Sequence, residues 1–419
     1  MADESLKNKA ISSTVWKFAE RIVAKLVTLA VTVIVAKILT PEDYAVVAII
    51  TIFFSFATLI VSGGFSSALV QKEDADLNDY SSVLSLSLAL SGIIYVLLFF
   101  TAPFISKIYH QPDLTVMIRV MGVILPVSAL QSVIYAYVSS QLDFRKFFFA
   151  TLGGTVLSGA IGITMAAKGA GAWSIIVQQM TNIFVDTLIM MVTTKVRFKL
   201  IVIWDRIGRL FSYGWKVFLS SLIGMIYSET NPLIVGIRYD SADLSFYTKG
   251  RSFPGTISSA TTETLAAVLF PVMAKYQDDK DQLRQYTRLY IRLASYVVFP
   301  LMLGLAAIAD SFVLTILNAK WAGIVPYMQI FCISGMFEMI NIGNCETIKA
   351  MGRSDIYLVM EIIKKALYFV TIILFVKFTS TPIELAFSSI VCTVIAVTVN
   401  SIPNIKIIGY KLVYQFEDI

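Results

Sequence analysis

The stretch YAVVAIITIFFSFATLIVSGGFSSALV, running from Tyr44 to Val70, contains no Lys, Arg, Asp or Glu. Wound as a helix at about 1.5 Å per residue, it reaches about 40 Å, enough to cross a hydrocarbon layer of about 30 Å with some tilt. The whole chain shares this character. Of 419 residues, 57% are hydrophobic and 15% charged, against roughly 25% charged in an ordinary soluble domain. Too few polar side chains remain to cover a water-facing surface, so lipid is expected around most of the protein. Membrane lipids are therefore partners, and nucleic acid is not.

Apolar runs bounded by charges or turn residues predict further spans. Six lie near 12–38, 44–70, 81–106, 114–139, 147–168 and 172–194. Six more lie near 210–237, 252–274, 288–309, 322–349, 356–378 and 383–403. The predicted fold is an all-α integral membrane protein of about twelve transmembrane helices. Its expected domains are a six-helix lobe at 1–194, a polar connector at 195–209 and a second six-helix lobe at 210–419. Counted over alternate loops, one side of the membrane carries about twice as many Lys and Arg as the other, which places both termini in the cytoplasm. Met1 to Glu20 lacks the short apolar core and small-residue cleavage site of a signal peptide, so the first span is expected to remain in the mature protein.

The halves match at an offset of about 200 residues: Trp16-Lys17 with Trp215-Lys216, Ile34-Val35 with Ile234-Val235, and Asp43 with Asp243. Two parallel repeats of six helices imply lobes related by a pseudo-twofold axis along the membrane normal, with the substrate path between them.

Several chemistries are excluded or weak. The single histidine, His110, sits in a predicted external loop, and no GxxxxGK[ST] phosphate loop occurs. Cys332, Cys345 and Cys392 lie in apolar segments without metal-ligand spacing. Asp74-Ala-Asp76 and Asp279-Lys280-Asp281 fit a short metal-binding pattern, but solvated loops explain them better. No cofactor, metal or covalent chemistry is expected. A membrane glycosyltransferase or polymerase would need a large external catalytic loop, and the external loops are short.

The informative residues are charges inside spans, because Arg, Lys or Asp at a helix centre costs about 2.5 to 3.5 kcal/mol on insertion scales. Lys17, Arg21 and Lys25 share one face of the first helix, continued by Thr28 and Thr32. Lys216, Ser220, Gly224, Tyr227, Ser228 and Asn231 form a matching face, with Glu229 nearby and Asn231-Pro232 interrupting the helix. Polar stripes also mark Ser55 to Ser66, Arg251 to Thr262 and Ser334 to Cys345. Arg21, Lys25, Lys216 and Arg251 are the expected substrate-binding cations, suited to an anionic head group such as a diphosphate. Snorkelling to the interface is the competing account of Lys216 and Arg251. Glu229, Glu338 and Asp186 are the candidates for coupling to H+ or Na+, while Lys364 is expected to pair locally with Glu361.

These residues resemble the polysaccharide transporter branch of the multidrug/oligosaccharidyl-lipid/polysaccharide flippase superfamily, which contains O-antigen and exopolysaccharide-unit flippases. The resemblance rests on Ile38-Leu39-Thr40-Pro41-Glu42-Asp43-Tyr44, Ala68-Leu69-Val70-Gln71, Tyr109-His110-Gln111-Pro112 and Leu142-Asp143-Phe144-Arg145. Gly169-Ala170-Gly171-Ala172-Trp173, Leu269-Phe270-Pro271 and Gly352-Arg353 continue it nearly to the end of the chain. It implies a two-lobed fold of twelve to fourteen helices and a cationic central cavity. The implied activity is alternating-access transport of an undecaprenyl-diphosphate-linked oligosaccharide across the bacterial inner membrane, alongside polysaccharide assembly proteins. The alternative is an ion-coupled small-molecule or drug exporter of the same superfamily.

Overall fold

In the computed structural model, residues 23–72, 74–141 and 143–419 are described, and among them there is no strand. Helical backbone occupies 23–38 (α1). It is followed by α2 (Pro41–Ser62), α3 (Phe65–Gln71), α4 (Leu77–Ile108), α5 (Leu114–Gly122), α6 (Leu125–Ser140), α7 (Phe144–Ala167) and α8 (Trp173–Thr194). Then come α9 (Trp204–Arg238), α10 (Ser241–Lys275), α11 (Lys280–Ala307), the short α12 (Ala309–Phe312), α13 (Ile324–Ala350), α14 (Ser354–Phe378), α15 (Pro382–Ile408) and α16 (Leu412–Glu417). Among the described residues, 7 helices are long and apolar enough to cross a membrane, and α5 with α6 forms an eighth such span bent by 40°.

The bends follow from local chemistry. Gly63 and Gly64 have φ of 53° and 74°, left-handed values that only glycine adopts without penalty, and they divide the expected 44–70 helix into α2 and α3. Pro126 has no N–H to offer the carbonyl of Gly122, so the 114–139 span breaks between α5 and α6. Pro232, expected to interrupt its helix, instead lies inside a continuous α9. The helices α9, α10 and α11 begin earlier than their apolar runs, because polar first turns in water remain helical while hydropathy detects only the lipid-bound part.

The Thr40-Pro41-Glu42-Asp43 motif is a capping box. Asp43 N donates to Thr40 Oγ1 at 3.3 Å, Thr40 N donates to Asp43 Oδ2 at 3.0 Å, and Pro41 sits where no N–H is needed. Thr381, Pro382 and Glu384 repeat the device at α15.

The chain divides into two compact units between Glu229 and Thr230, inside α9; the polar connector, non-helical at 195–203, lies within the first. In the first unit, Phe65, Leu69, Tyr80, Leu84, Val133, Ile207 and Leu210 form one core. Helices α7 and α8 touch closely at Gly154, where a Cβ would lie 3.2 Å from both Asn182 O and Asp186 Cβ. In the second unit α13 is the central helix, packing against α10, α11, α14 and α15. Outward faces are apolar: Ile93, Val96, Leu97, Phe100 and Phe104 are exposed on α4, and Leu358, Ile362, Val370 and Ile373 on α14. Phe100 is 73% exposed and Ile373 64%. Such helices are stable only with hydrocarbon against them, so the chain is a multi-pass membrane protein.

Candidate functional site

The second unit holds a polar cluster built from α10, α13, α14 and α15. Glu338 and Asn341, one turn apart on α13, are joined by a bond from Asn341 Nδ2 to Glu338 Oε1 at 2.9 Å. Asn400 on α15 donates to Asn341 Oδ1 and reaches Cys345 Sγ at 3.0 Å. On α14 the buried Lys364 ammonium pairs with Glu361, as its spacing predicts. Arg251 on α10 and Lys364 both lie within electrostatic reach of the Glu338 carboxylate. Lys365 is within reach of Glu338 and Glu361. Among the described residues, three cationic side chains thus lie within electrostatic reach of Glu338 in one unit. Ionised groups in spans persist where they are paired and functional, and a gathering of cations suits an anionic ligand.

This cluster unites two expected site residues, Arg251 and Glu338, from different stripes. Their partners Lys364, Lys365 and Asn400 carry weaker signals, since α14 reads as a local i, i+3 pair and an asparagine near a helix end is unremarkable. About 18 Å along α15 from Asn400, Asn231 donates to Ser388 Oγ at 3.3 Å, leaving its own buried Oδ1 without a hydrogen-bond donor.

The other expected residues fall in the first unit. Asp186 on α8 is buried and accepts a bond from Tyr135 Oη on α6 at 2.6 Å. Lys25 on α1 and Lys216 on α9 are exposed. Glu229 is half-buried and accepts from Ser228 Oγ at 3.2 Å. Lys216 and Glu229 are about 20 Å apart along α9 at 1.5 Å per residue, so they form separate features. Arg21 lies outside the described residues, as do Lys17 and Glu20.

The acidic loop motifs serve structure. Asp76 caps α4, accepting from Asn78 N at 3.1 Å and Asp79 N at 2.9 Å, and it pairs with Arg206. The hydrogen bond from Arg206 holds the Asp76 carboxyl well below the usual carboxylate range. Asp279 caps α11 through Asp281 N and Gln282 N, both at 3.0 Å. Among the described residues no group of three or more His, Cys, Asp or Glu could hold a metal ion.

By its fold, the protein is a multi-pass, all-helical membrane protein with charged groups inside its spans. Over 97% of its length it superposes on 92% of a solved structure of the lipid II flippase MurJ in an inward closed conformation, with TM-score 0.75 and 15% identity. A multidrug resistance MATE family transporter in its inward-facing conformation gives TM-score 0.66 at 14% identity, covering 92% of this chain and 95% of that one. The chain belongs to the polysaccharide biosynthesis protein family, whose model matches residues 34–326.

Among curated relatives, an uncharacterized membrane protein in the cps region of Klebsiella pneumoniae is 26% identical over 345 residues, 80% of this chain and 70% of that protein. The succinoglycan biosynthesis transport protein ExoT of Rhizobium meliloti is 24% identical over 72% of this chain and 61% of its own. The lipopolysaccharide biosynthesis protein WzxC of Escherichia coli is 20% identical over 88% and 76%. The chain thus spans between 61% and 76% of the length of these relatives.

Proposed function

We propose that this protein is a flippase carrying an undecaprenyl-diphosphate-linked oligosaccharide across a bacterial inner membrane by alternating access, in the synthesis of a cell-surface polysaccharide. The observation that carries this reading is that Arg251, Lys364 and Lys365, from two different helices, all lie within electrostatic reach of Glu338, where charge is costly to keep. A diphosphate would be drawn to such a gathering of cationic groups. Lobes at 1–194 and 210–419, joined by the 195–209 connector, would rock about the head group while the prenyl tail stays in lipid. Both termini face the cytoplasm in this reading. Arg21, Lys25 and Lys216 add cations on the way in, and Glu338, Glu229 and Asp186 are where H+ or Na+ would couple. Polysaccharide assembly proteins would receive the product. Family membership and the transport-protein names of the relatives support the substrate class.

The test is flipping of a radiolabelled lipid-linked oligosaccharide in proteoliposomes by wild type, Arg251→Ala, Arg21→Ala and Lys25→Ala at equal reconstitution. Removing a charge-assisted contact worth about 1.5 to 3 kcal/mol should slow transport roughly 10- to 100-fold. A wild type that moves no such lipid but exports small cations against a Na+ or proton gradient would replace this reading with the drug exporter.

A further inference from the structure

Within the first unit, α3, α6 and α9 enclose a groove of about 600 Å³, inside the range of about 300 to 1,000 Å³ typical of small-molecule sites. Helix α3 lines it with Ser66, Ser67 and Gln71, and α6 with Ser132, Tyr135 and Ser139. The α6 residues recur at the spacing that puts them on one helix face. Tyr213 of α9 closes the third side. It is held there by a tight crossing: a Cβ on Gly64 would lie 2.1 Å from Gly214 O, next to Tyr213 in sequence.

No Lys, Arg, Asp or Glu lines this groove, so it offers a diphosphate no neutralising cation. Its lining combines carbon surface from Val70, Ala136 and two tyrosine rings with six hydroxyls and one amide. The exposed surfaces of α4 and α14 are mainly branched and aromatic hydrocarbon, so a hydroxyl-rich groove is a departure from the lipid-facing pattern. Ser132 Oγ donates to Ala129 O at 2.8 Å and Tyr135 Oη to Asp186, which fixes both groups and leaves their oxygens able to accept. A sugar ring matches this chemistry, with C–H faces that pack on carbon and a rim of hydroxyls that donate and accept.

We propose that this groove is a saccharide subsite holding uncharged sugar residues of the transported glycolipid, apart from the groups that hold its diphosphate. The proposal rests on the flippase reading and adds where sugar length is sensed. The test uses full-length protein in proteoliposomes and ¹⁴C-sugar-labelled polyprenyl-diphosphate glycolipids from the source cells, either intact or trimmed enzymatically to the first sugar.

Ser67→Leu combined with Ser139→Leu should slow the intact glycolipid by about tenfold, the loss of one or two hydrogen bonds, and leave the trimmed form within about twofold of wild type. Equal slowing of both forms, or of neither, overturns the subsite. As a second readout, a photoreactive benzoylphenylalanine in place of Val70 should capture label from the intact glycolipid and not from the trimmed one. Equal capture of plain undecaprenol would make the groove a lipid-tail site and also overturn the proposal. A wild type that transports neither form defeats the flippase reading itself, a result distinct from a variant that transports as well as wild type.

Discussion

Arg206, at the third position of α9, pairs with Asp76, the N-cap of α4, 130 residues earlier in the chain. The same guanidinium lies 3.2 Å from the fully buried carboxylate of Asp79, which Lys72 approaches at 2.5 Å. Between these anchors the connector is stitched to α4: Lys199 N donates to Ser81 Oγ at 3.1 Å and Ile203 N to Ser82 Oγ at 3.3 Å. The polar connector is therefore a segment docked on α4 through at least two of its backbone donors.

Arg206→Ala should loosen that docking and lower stability only modestly, because Lys72 still accompanies Asp79 and the lost contact is solvent-screened. Limited proteolysis should then cut within 195–203 faster than in wild type. Arg206 depresses the Asp76 pKa, so this contribution is full above the unfolded carboxylate value of about 4 and fades only as pH falls through the lower folded value. Wild-type cleavage rates should be flat between about pH 8 and pH 5; a rise across that window would refute the assignment.

Asp418 collects Arg288 Nε at 2.7 Å, Arg292 Nη2 at 2.6 Å and Tyr410 Oη at 2.8 Å. Burial pushes its carboxyl up, but the bonds from Arg288, Tyr410 and Arg292 outweigh that and lower it. Asp418→Asn should cost about 2 kcal/mol near neutral pH. The wild-type contribution is full above about pH 4 and is lost as pH falls through the depressed folded value. Thermal unfolding should show wild type and variant converging in strong acid; parallel curves there would count against the network.

At the α3–α9 crossing, Gly64→Ala meets both a left-handed φ of 74° and a backbone oxygen at 2.1 Å. Gly214→Ala meets only atoms at 3.4 Å or more. The first should destabilise by more than about 3 kcal/mol and the second by less than about 1. Similar melting temperatures for the two variants would mean that the crossing is looser than described.

Lys364 and Glu361 test whether the α14 ion pair is structural. Lys364→Met alone should cost about 1 to 3 kcal/mol, because Glu361 loses its hydrogen-bonded partner and keeps only Lys365 within reach, whereas Lys364→Met with Glu361→Leu should be closer to neutral. A double variant as unstable as the single one would show that further groups depend on the charges. Transport should fall in both, because each removes a cation from the cluster around Glu338.

Much of this was legible in the sequence. Membrane residence follows from runs such as Tyr44 to Val70, because hydrocarbon tolerates only apolar side chains on an internally bonded backbone. The predicted apolar spans follow from the same fact. The helical start at Trp204 was not legible, because an amphipathic turn in water leaves no mark in hydropathy. Nor was the continuity of α9 through Pro232, where surrounding contacts retain a helix that local propensity would break.

Sequence alone therefore determined the solvent, the secondary structure and which side chains are costly where they stand, since these depend on residues close in the chain. Only the tertiary structure decided that Arg251 and Lys364 share the neighbourhood of Glu338, that Asp186 bonds to Tyr135, and that hydroxyls of α3 and α6 face one groove with Tyr213. Those relationships join helices distant in the chain. Which face of one helix meets which face of another is set by close contacts such as Gly154 against Asp186 and Gly64 against Gly214, and shape complementarity of that kind has no period to read.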